Sequence, residues 1–458
     1  VKKRFFGTDG IRGVANEKLT PEFAFKLGVA TGRYILSQGL ERRLVVGRDT
    51  RRSGPMLGAA FGAGLCAVGI SVTSLSVVPT GCISYIARTK PYGMGAVISA
   101  SHNPAPDNGI KLITNQGTKV PDEAELWIES QLDEPMTERP KGSDVGELLV
   151  SRQDVEDYID YLAGLVPERL DGLVIAIDGA HGAAYQLGPE VFRRLGADVL
   201  ATGCHPDGMN INEEGGATKP STIQALTQDH RADLGVAFDG DADRAVFADS
   251  EGQLINGDRM MAIWCSYWQE QGKLTPPAVV GTVMSNSGFE RYMAALGVEL
   301  IRADVGDKYV SAELRKIGGR IGGEQSGHIV FPEYGPTGDG LITALALARI
   351  LKLTGTNASN WTNRFQNWPQ LLVNVEVGSK DGWEQALAGP LQSAIERLGD
   401  QGRVNIRPSG TQPMIRVMVE STDENLRDQV ADNLVASLLE SQGGKIYSRV
   451  DLTHALGD

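Results

Sequence analysis

One supersecondary pattern recurs three times in this chain and constrains its fold more than any other feature. Each copy opens on an apolar run: Leu44-Val45-Val46-Gly47-Arg48-Asp49, then Leu173-Val174-Ile175-Ala176-Ile177-Asp178, then Ala278-Val279-Val280-Gly281-Thr282. Unbroken β-branched runs suit strands buried on both faces. A helix-like segment follows each run and ends in a glycine before a second strand, at Ala67-Val68-Gly69-Ile70, Arg194-Leu195-Gly196-Ala197 and Ala295-Leu296-Gly297-Val298. Glycine past the last turn is a normal helix stop. A third strand then runs into a polar loop. Ala96-Val97-Ile98 leads into 99–104, Leu234-Gly235-Val236-Ala237-Phe238 into 239–244, and Arg320-Ile321 into 322–328. Alternating strands and helices predict α/β units with mainly parallel sheets. Ligands in such sheets sit beyond the carboxyl ends of the strands, so three such loops are expected to face one cleft.

From residue 369 the pattern changes. Arg403-Val404-Asn405-Ile406-Arg407 and Ile415-Arg416-Val417-Met418-Val419-Glu420 read as strands, and Leu426, Val430, Leu434, Leu438 and Leu439 mark one helix face, predicting a smaller α+β unit. A chain of 458 residues accommodates three or four domains. The expected boundaries are 1–152, 153–253, 254–368 and 369–458, with 133–147 as a surface excursion.

Charge excludes some functions. Asp plus Glu total 57 against 44 Lys plus Arg, a net charge of −13, which disfavours broad nucleic-acid or anionic-membrane binding but leaves a small anionic substrate possible. Residues 54–87 carry no charge, yet Gly58, Gly62, Gly64, Gly69, Pro79 and Gly81 interrupt them, so a small-residue helix feeding a buried strand is expected and a membrane span is not. Gly62-x-Gly64-x-x-Ala67 sits inside that helical stretch, as a packing face rather than a dinucleotide turn. Cys66, Cys82, Cys204 and Cys265 show no metal or disulfide spacing, and the segment Val1 to Gly7 has no apolar core of a signal peptide. A cytoplasmic location with reduced thiols is expected.

Four segments can carry chemistry. Asp239-Gly240-Asp241-Ala242-Asp243 places three carboxylates at alternate positions after an apolar strand. Packed together they repel unless a divalent cation intervenes, and all-oxygen ligands suit Mg²⁺ or Ca²⁺. An EF-hand does not fit, because Arg244 and Ser250 stand at the sixth and twelfth positions; a solvated acidic turn is the competing reading. Ser101, beside His102, is either a turn residue or a hydroxyl that carries phosphate, whose dianion would complete the acidic site. Arg407-Pro408-Ser409-Gly410-Thr411-Gln412-Pro413 with Arg416 concentrates anion-binding groups, the alternative being a plain turn between strands. Glu324 and Ser326 suit sugar hydroxyls or an ordinary polar turn, and His328 is either catalytic or structural.

Taken in order, residues 6–13 (Phe-Gly-Thr-Asp-Gly-Ile-Arg-Gly), 98–104, 239–244, 323–328 and 407–411 resemble the α-D-phosphohexomutase family across essentially the whole chain. That resemblance implies four domains around a central cleft and a Mg²⁺-dependent phosphoserine at Ser101. It also implies interconversion of a hexose 6-phosphate and a hexose 1-phosphate through a 1,6-bisphosphate sugar that doubles as activator. Glucosamine phosphate is the expected substrate, on the route to UDP-N-acetylglucosamine and peptidoglycan, with mannose or glucose phosphate as the alternative. By position, Ser101, Asp239, Asp241 and Asp243 would hold the metal, and Arg12, His102, Lys111, Arg244 and His328 would surround the transferring group. Glu324 and Ser326 would grip sugar hydroxyls, while Arg407, Ser409, Gly410, Thr411 and Arg416 would hold the other phosphate. Lys111, assisted by His102 or His328, is the expected base. Two positions depart from the family pattern: Gln412 replaces the usual Glu, and Ala242 the usual Gly. A homodimer is compatible with the sequence. A Mg²⁺-dependent phosphatase and a silent sugar-phosphate sensor are the readings from other classes.

Overall fold

A computed structural model describes residues 3–136, 139–409, 413–453 and 456. Their strands form four sheets. The first has six strands in the order Ile11–Val14, Asp107–Thr114, Met94–Ile98, Arg43–Arg48, Ser71–Val77 and Leu148–Val150. The last four of these run parallel. The second orders Leu254–Ile255, Ala245–Ala248, Leu234–Phe238, Val174–Asp178 and Asp198–Thr202, and the third Glu299–Ala303, Ala278–Thr282, Gly322–Gly323 and Ile329–Val330.

The threefold repeat is present and carries a refinement. In every copy the third strand returns antiparallel after its polar loop: Met94–Ile98 pairs with Asp107–Thr114, Leu234–Phe238 with Ala245–Ala248, and Gly322–Gly323 with Ile329–Val330. The three candidate loops are therefore the equivalent turn of three related hairpins, each leaving the carboxyl end of a strand that also pairs in parallel. In the third copy the strand begins at Gly322, two residues beyond the expected Arg320 start.

The uncharged stretch forms the helix Gly54–Cys66, packed against Pro21–Ser37. A methyl group on Gly64 would lie 2.1 Å from the carbonyl oxygen of Phe25, and one on Gly28 2.1 Å from that of Phe61. The two helix backbones touch, so the glycines are a packing face. No helix among the described residues is long and apolar enough to cross a membrane. The fourth sheet, Gly402–Pro408, Met414–Ser421, Gln370–Glu376 and Lys445–Asp451, is wholly antiparallel. The helix Glu424–Gln442 covers it with Val430, Leu434 and Leu438 buried in its core.

Candidate active site

Ser101 is 1% exposed and sits at φ +51°, a left-handed conformation that residues other than glycine rarely adopt. Its loop is over-determined by hydrogen bonds. The buried guanidinium of Arg51 donates to the carbonyls of Ser101 (2.8 Å), Asn103 (2.7 Å) and Asp107 (3.0 Å) and to that of Pro104. Asp49 accepts from Arg51 Nε at 2.8 Å and from Ser99 Oγ at 2.6 Å, and Ser99 Oγ in turn accepts from Ser101 N at 2.9 Å. Strain of this kind persists only where the surroundings impose it, and it is concentrated at functional sites.

The loop brings Ser101 to the acidic segment. Ser101 Oγ donates to Asp239 Oδ2 at 2.6 Å, and His102 Nδ1 lies 3.3 Å from the same hydroxyl. Asp239, Asp241 and Asp243 are buried, each with a carboxylate oxygen within 4.8 Å of the others. Burial, then Asp241 and Asp243, raises Asp239 well above the ordinary carboxylate range. Burial also opposes the charge of Asp243, but Lys111 and then His328 hold it well below that range. Asp241 Oδ1 and Asp243 Oδ1 are buried without a hydrogen-bond partner, while the Oδ2 atoms accept from Thr80 (2.6 Å) and Lys111 (3.3 Å). Two orphaned anionic oxygens beside a third carboxylate and a hydroxyl fit a hard divalent cation, so the acidic cluster can hold a metal ion. Ala242 occupies φ +56° within this turn, a conformation an L-residue tolerates at a cost.

Cations ring the cluster. Lys111 Nζ lies 3.0 Å from Asp9 Oδ1 and 3.3 Å from Asp243 Oδ2; Arg12 Nη2 donates to Asp9 Oδ2 at 2.7 Å. His328 Nδ1 is 3.7 Å from Asp243 Oδ2. Burial disfavours charge on His328, yet Asp243 pushes it up to about 9. Burial likewise opposes charge on Lys111, but Asp9 and Asp243 hold it well above its ordinary value. Both carboxylates thus favour the charged ammonium at Lys111. Arg244, raised by Asp239 and Asp243 against its burial, donates its backbone N–H to Asp239 Oδ1 at 3.2 Å.

Arg244, Glu324, Ser326 and Arg407 line one cavity together with Thr282. Glu324 Oε1 accepts from the backbone of Gly306 at 2.9 Å. Arg407 and Arg416 stand directly opposite on paired antiparallel strands, and burial followed by Arg416 lowers the Arg407 guanidinium. Like charges facing each other destabilise a sheet unless an anion offsets them. Ser409 N donates to Met414 O at 2.8 Å, and Lys380 Nζ to Ser409 O at 2.8 Å. Gly410, Thr411 and Gln412 lie outside the described residues.

The sequence reading missed Asp9, Arg51, Thr80, Asn212 and Lys380. Asp9 stood inside the N-terminal motif without a role. For the others only tertiary proximity supplies the signal.

Four profiles of one family match the chain in order. These are phosphoglucomutase/phosphomannomutase alpha/beta/alpha domain I over residues 3–139, domain II over 156–252, domain III over 256–368 and the C-terminal domain over 372–437. The phosphoglucosamine mutase of Symbiobacterium thermophilum is 47% identical, covering 92% of this chain and 95% of that protein. That of Anoxybacillus flavithermus is 42% identical over 96% and 99%. Among solved structures, a phosphoglucomutase/phosphomannomutase family protein from Burkholderia thailandensis aligns with a TM-score of 0.82 at 24% identity, covering 96% of this chain and 98% of that one. The Aspergillus fumigatus N-acetylphosphoglucosamine mutase in complex with GlcNAc-6P and magnesium aligns with a TM-score of 0.68 at 17% identity, covering 96% of each chain.

Proposed function

The chain belongs to the phosphoglucomutase/phosphomannomutase family, and from that premise we propose that it interconverts glucosamine 6-phosphate and glucosamine 1-phosphate through a phosphoserine at Ser101 and a 1,6-bisphosphate. The observation that carries this reading is the 2.6 Å contact between Ser101 Oγ and Asp239 within a buried acidic triad ringed by cations. Near full-length similarity to proteins named phosphoglucosamine mutase supports the hexosamine over mannose or glucose phosphate.

Asp239, Asp241, Asp243 and the Ser101 oxygen would hold Mg²⁺, which when bound neutralises charge on the transferring phosphoryl group. In the first transfer the bond from phosphorus to Ser101 Oγ breaks and a bond to the free sugar hydroxyl forms. The bisphosphate then turns in the cleft, and its other phosphoryl group passes back to Ser101 Oγ. Arg12, Lys111, Arg244 and His328 offset the charge that develops. The hydroxyl proton leaves in the first transfer and is replaced in the second. Protonated Lys111 suits the returning leg, and His102, beside Ser101 Oγ, is the group assigned to the outgoing one. Glu324 and Ser326 accept and donate to sugar hydroxyls, while Arg407, Ser409, Gly410, Thr411 and Arg416 hold the phosphate that is not reacting.

Four domains bounded near 152, 253 and 368, a cytoplasmic location and a place before UDP-N-acetylglucosamine go with this reading. The edge strand Leu148–Val150, exposed and apolar at all three positions, is where a second copy would pair to give a homodimer. Light scattering on the full chain tests that assembly. The reaction is tested by offering the purified chain each hexose phosphate. A kcat/KM for glucosamine phosphate at least tenfold above those for mannose and glucose phosphates is expected, with turnover abolished in Ser101→Ala. Indifference to the 2-amino group would overturn the specificity, and steady release of inorganic phosphate would overturn the mutase reaction itself.

A further inference from the structure

We propose that Thr80 is a positioning residue for the metal site: its hydroxyl locks Asp241 so that one chosen carboxylate oxygen faces the cation. The inference rests on the acidic triad being the metal site. Thr80 belongs to the first sheet's layer and Asp241 to the second sheet's loop, 161 positions apart in sequence. They are joined twice. Thr80 N donates to the Asp241 carbonyl at 2.9 Å, and Thr80 Oγ1 donates to Asp241 Oδ2 at 2.6 Å. Both residues are 2% exposed, so water does not compete for either group.

A threonine hydroxyl has one proton to give. Here it goes to Oδ2, and Oδ1 of the same carboxylate remains buried without a partner. The hydroxyl therefore selects which oxygen is left for the ion and fixes the rotation of the carboxylate. A capping role would look different, because the hydroxyl would then serve its own helix. Thr80 is the first residue of the helix Thr80–Thr89, whose start has no side-chain cap and no acidic residue in its first turn. The positive end of that helix accordingly abuts the acidic loop.

The helix is seated so that Thr80 cannot drift. A methyl group on the next residue, Gly81, would lie 2.0 Å from Asp339 Oδ2. Asp339 is itself fixed, accepting from Tyr158 Oη at 2.7 Å and from the first turn of the helix Gly340–Thr354. Gly340 N donates to the Ala242 carbonyl at 3.0 Å, so two helix starts hold the loop and only Thr80 reaches a ligand side chain.

Outer-shell partners of metal ligands are worth roughly 10- to 100-fold in affinity. The test is Mn²⁺ binding to the full chain, read from the electron paramagnetic resonance signal of the free ion, for the unaltered protein, Thr80→Val, Thr80→Ser and Asp241→Asn. Thr80→Val is expected to weaken Mn²⁺ binding about tenfold, with Thr80→Ser within about threefold of the unaltered chain. The Mg²⁺ concentration for half-maximal activity should rise in Thr80→Val more than kcat at saturating Mg²⁺ falls. Should Thr80→Val not fold, Thr80→Ala takes its place with the same expectation. Unchanged Mn²⁺ affinity in the variant lacking the hydroxyl, or Thr80→Ser as weak as Thr80→Val, would overturn the role of Thr80 alone. Equal binding by Asp241→Asn and the unaltered chain would overturn the metal site beneath it.

Discussion

Asn212 donates its side-chain amide to the carbonyl oxygen of Ser101 at 2.9 Å, reaching the backbone of that strained residue from the unit that carries the acidic loop. The same carbonyl accepts from Arg51 at 2.8 Å, so it is braced from both sides. Asn212→Ala removes one brace and keeps the other. A loss of ~1 kcal/mol in stability is expected, the usual net worth of one buried hydrogen bond. Because Ser101 is strained, the larger effect falls on chemistry: phosphoryl transfer from labelled Ser101, followed in single turnovers, should slow about tenfold, equivalent to ~1.4 kcal/mol. Urea titration with rapid quench separates the two effects, and an unaltered transfer rate would contradict the bracing.

Asp258 links stability to pH. Burial pushes its carboxyl up to about 6, against the opposing Asn286 N–H, the Ser285 hydroxyl and Arg302. Its Oδ2 accepts from Asn286 N at 2.8 Å, and its Oδ1 has no partner. The folded state therefore binds more protons than the unfolded state between about 4 and 6, and stability falls as pH rises through that window. Above it the full cost remains, about 2 to 3 kcal/mol at ~1.4 kcal/mol per pH unit. Asp258→Asn should thus stabilise the chain at pH 7.5 by about that amount and leave it nearly unchanged below pH 4. Urea unfolding at both pH values checks the sign; equal gains at both would remove Asp258 as the cause.

The repeat was legible because buried strands and glycine-terminated helices leave a local imprint. The antiparallel return strands were not. Ala245-Val246-Phe247-Ala248 is buried along its length, so it reads like any parallel core strand. Ser101 and the three aspartates were legible from spacing and motif, since repelling carboxylates demand a reason for their closeness. Thr80 and Asn212 were not, because a threonine at a helix start and an asparagine in a loop are ordinary locally and acquire meaning only across units. The carboxylates that surround Lys111 were not legible either, because Asp9 and Asp243 come within 3.0 and 3.3 Å of its ammonium only in the folded chain.

Arg407 and Arg416 repel across adjacent strands, and Arg407 Nε is buried without a partner. Such a pair weakens the sheet by up to about 1 kcal/mol, an effect that Glu324 and Asp304 beside Arg407 reduce and a bound anion reduces further. Arg407→Met should therefore leave the anion-free chain as stable or slightly more stable, while KM for the hexose phosphate rises at least tenfold. Inorganic phosphate should raise the Tm of the unaltered chain and not that of the variant. Thermal unfolding with and without phosphate distinguishes this from a structural role, in which both proteins would respond alike.

Asp9 holds two cations of the proposed site at once, Arg12 through Oδ2 at 2.7 Å and Lys111 through Oδ1 at 3.0 Å. Burial resists its charge, but Lys111 and Arg12 keep it ionised well below the ordinary range. Asp9→Asn keeps the size and one acceptor oxygen, yet makes the other position an amide donor that faces one of the two cations. One of the two cations must then shift, and misplacement of about 1 Å in a phosphoryl-transfer site costs about 10²-fold in rate. The expected signature is a fall of that order in kcat with KM changed less than threefold, because the proposed phosphate contacts of Arg407 are untouched. A rise in KM with kcat intact would assign Asp9 to binding rather than to the arrangement of the transferring group.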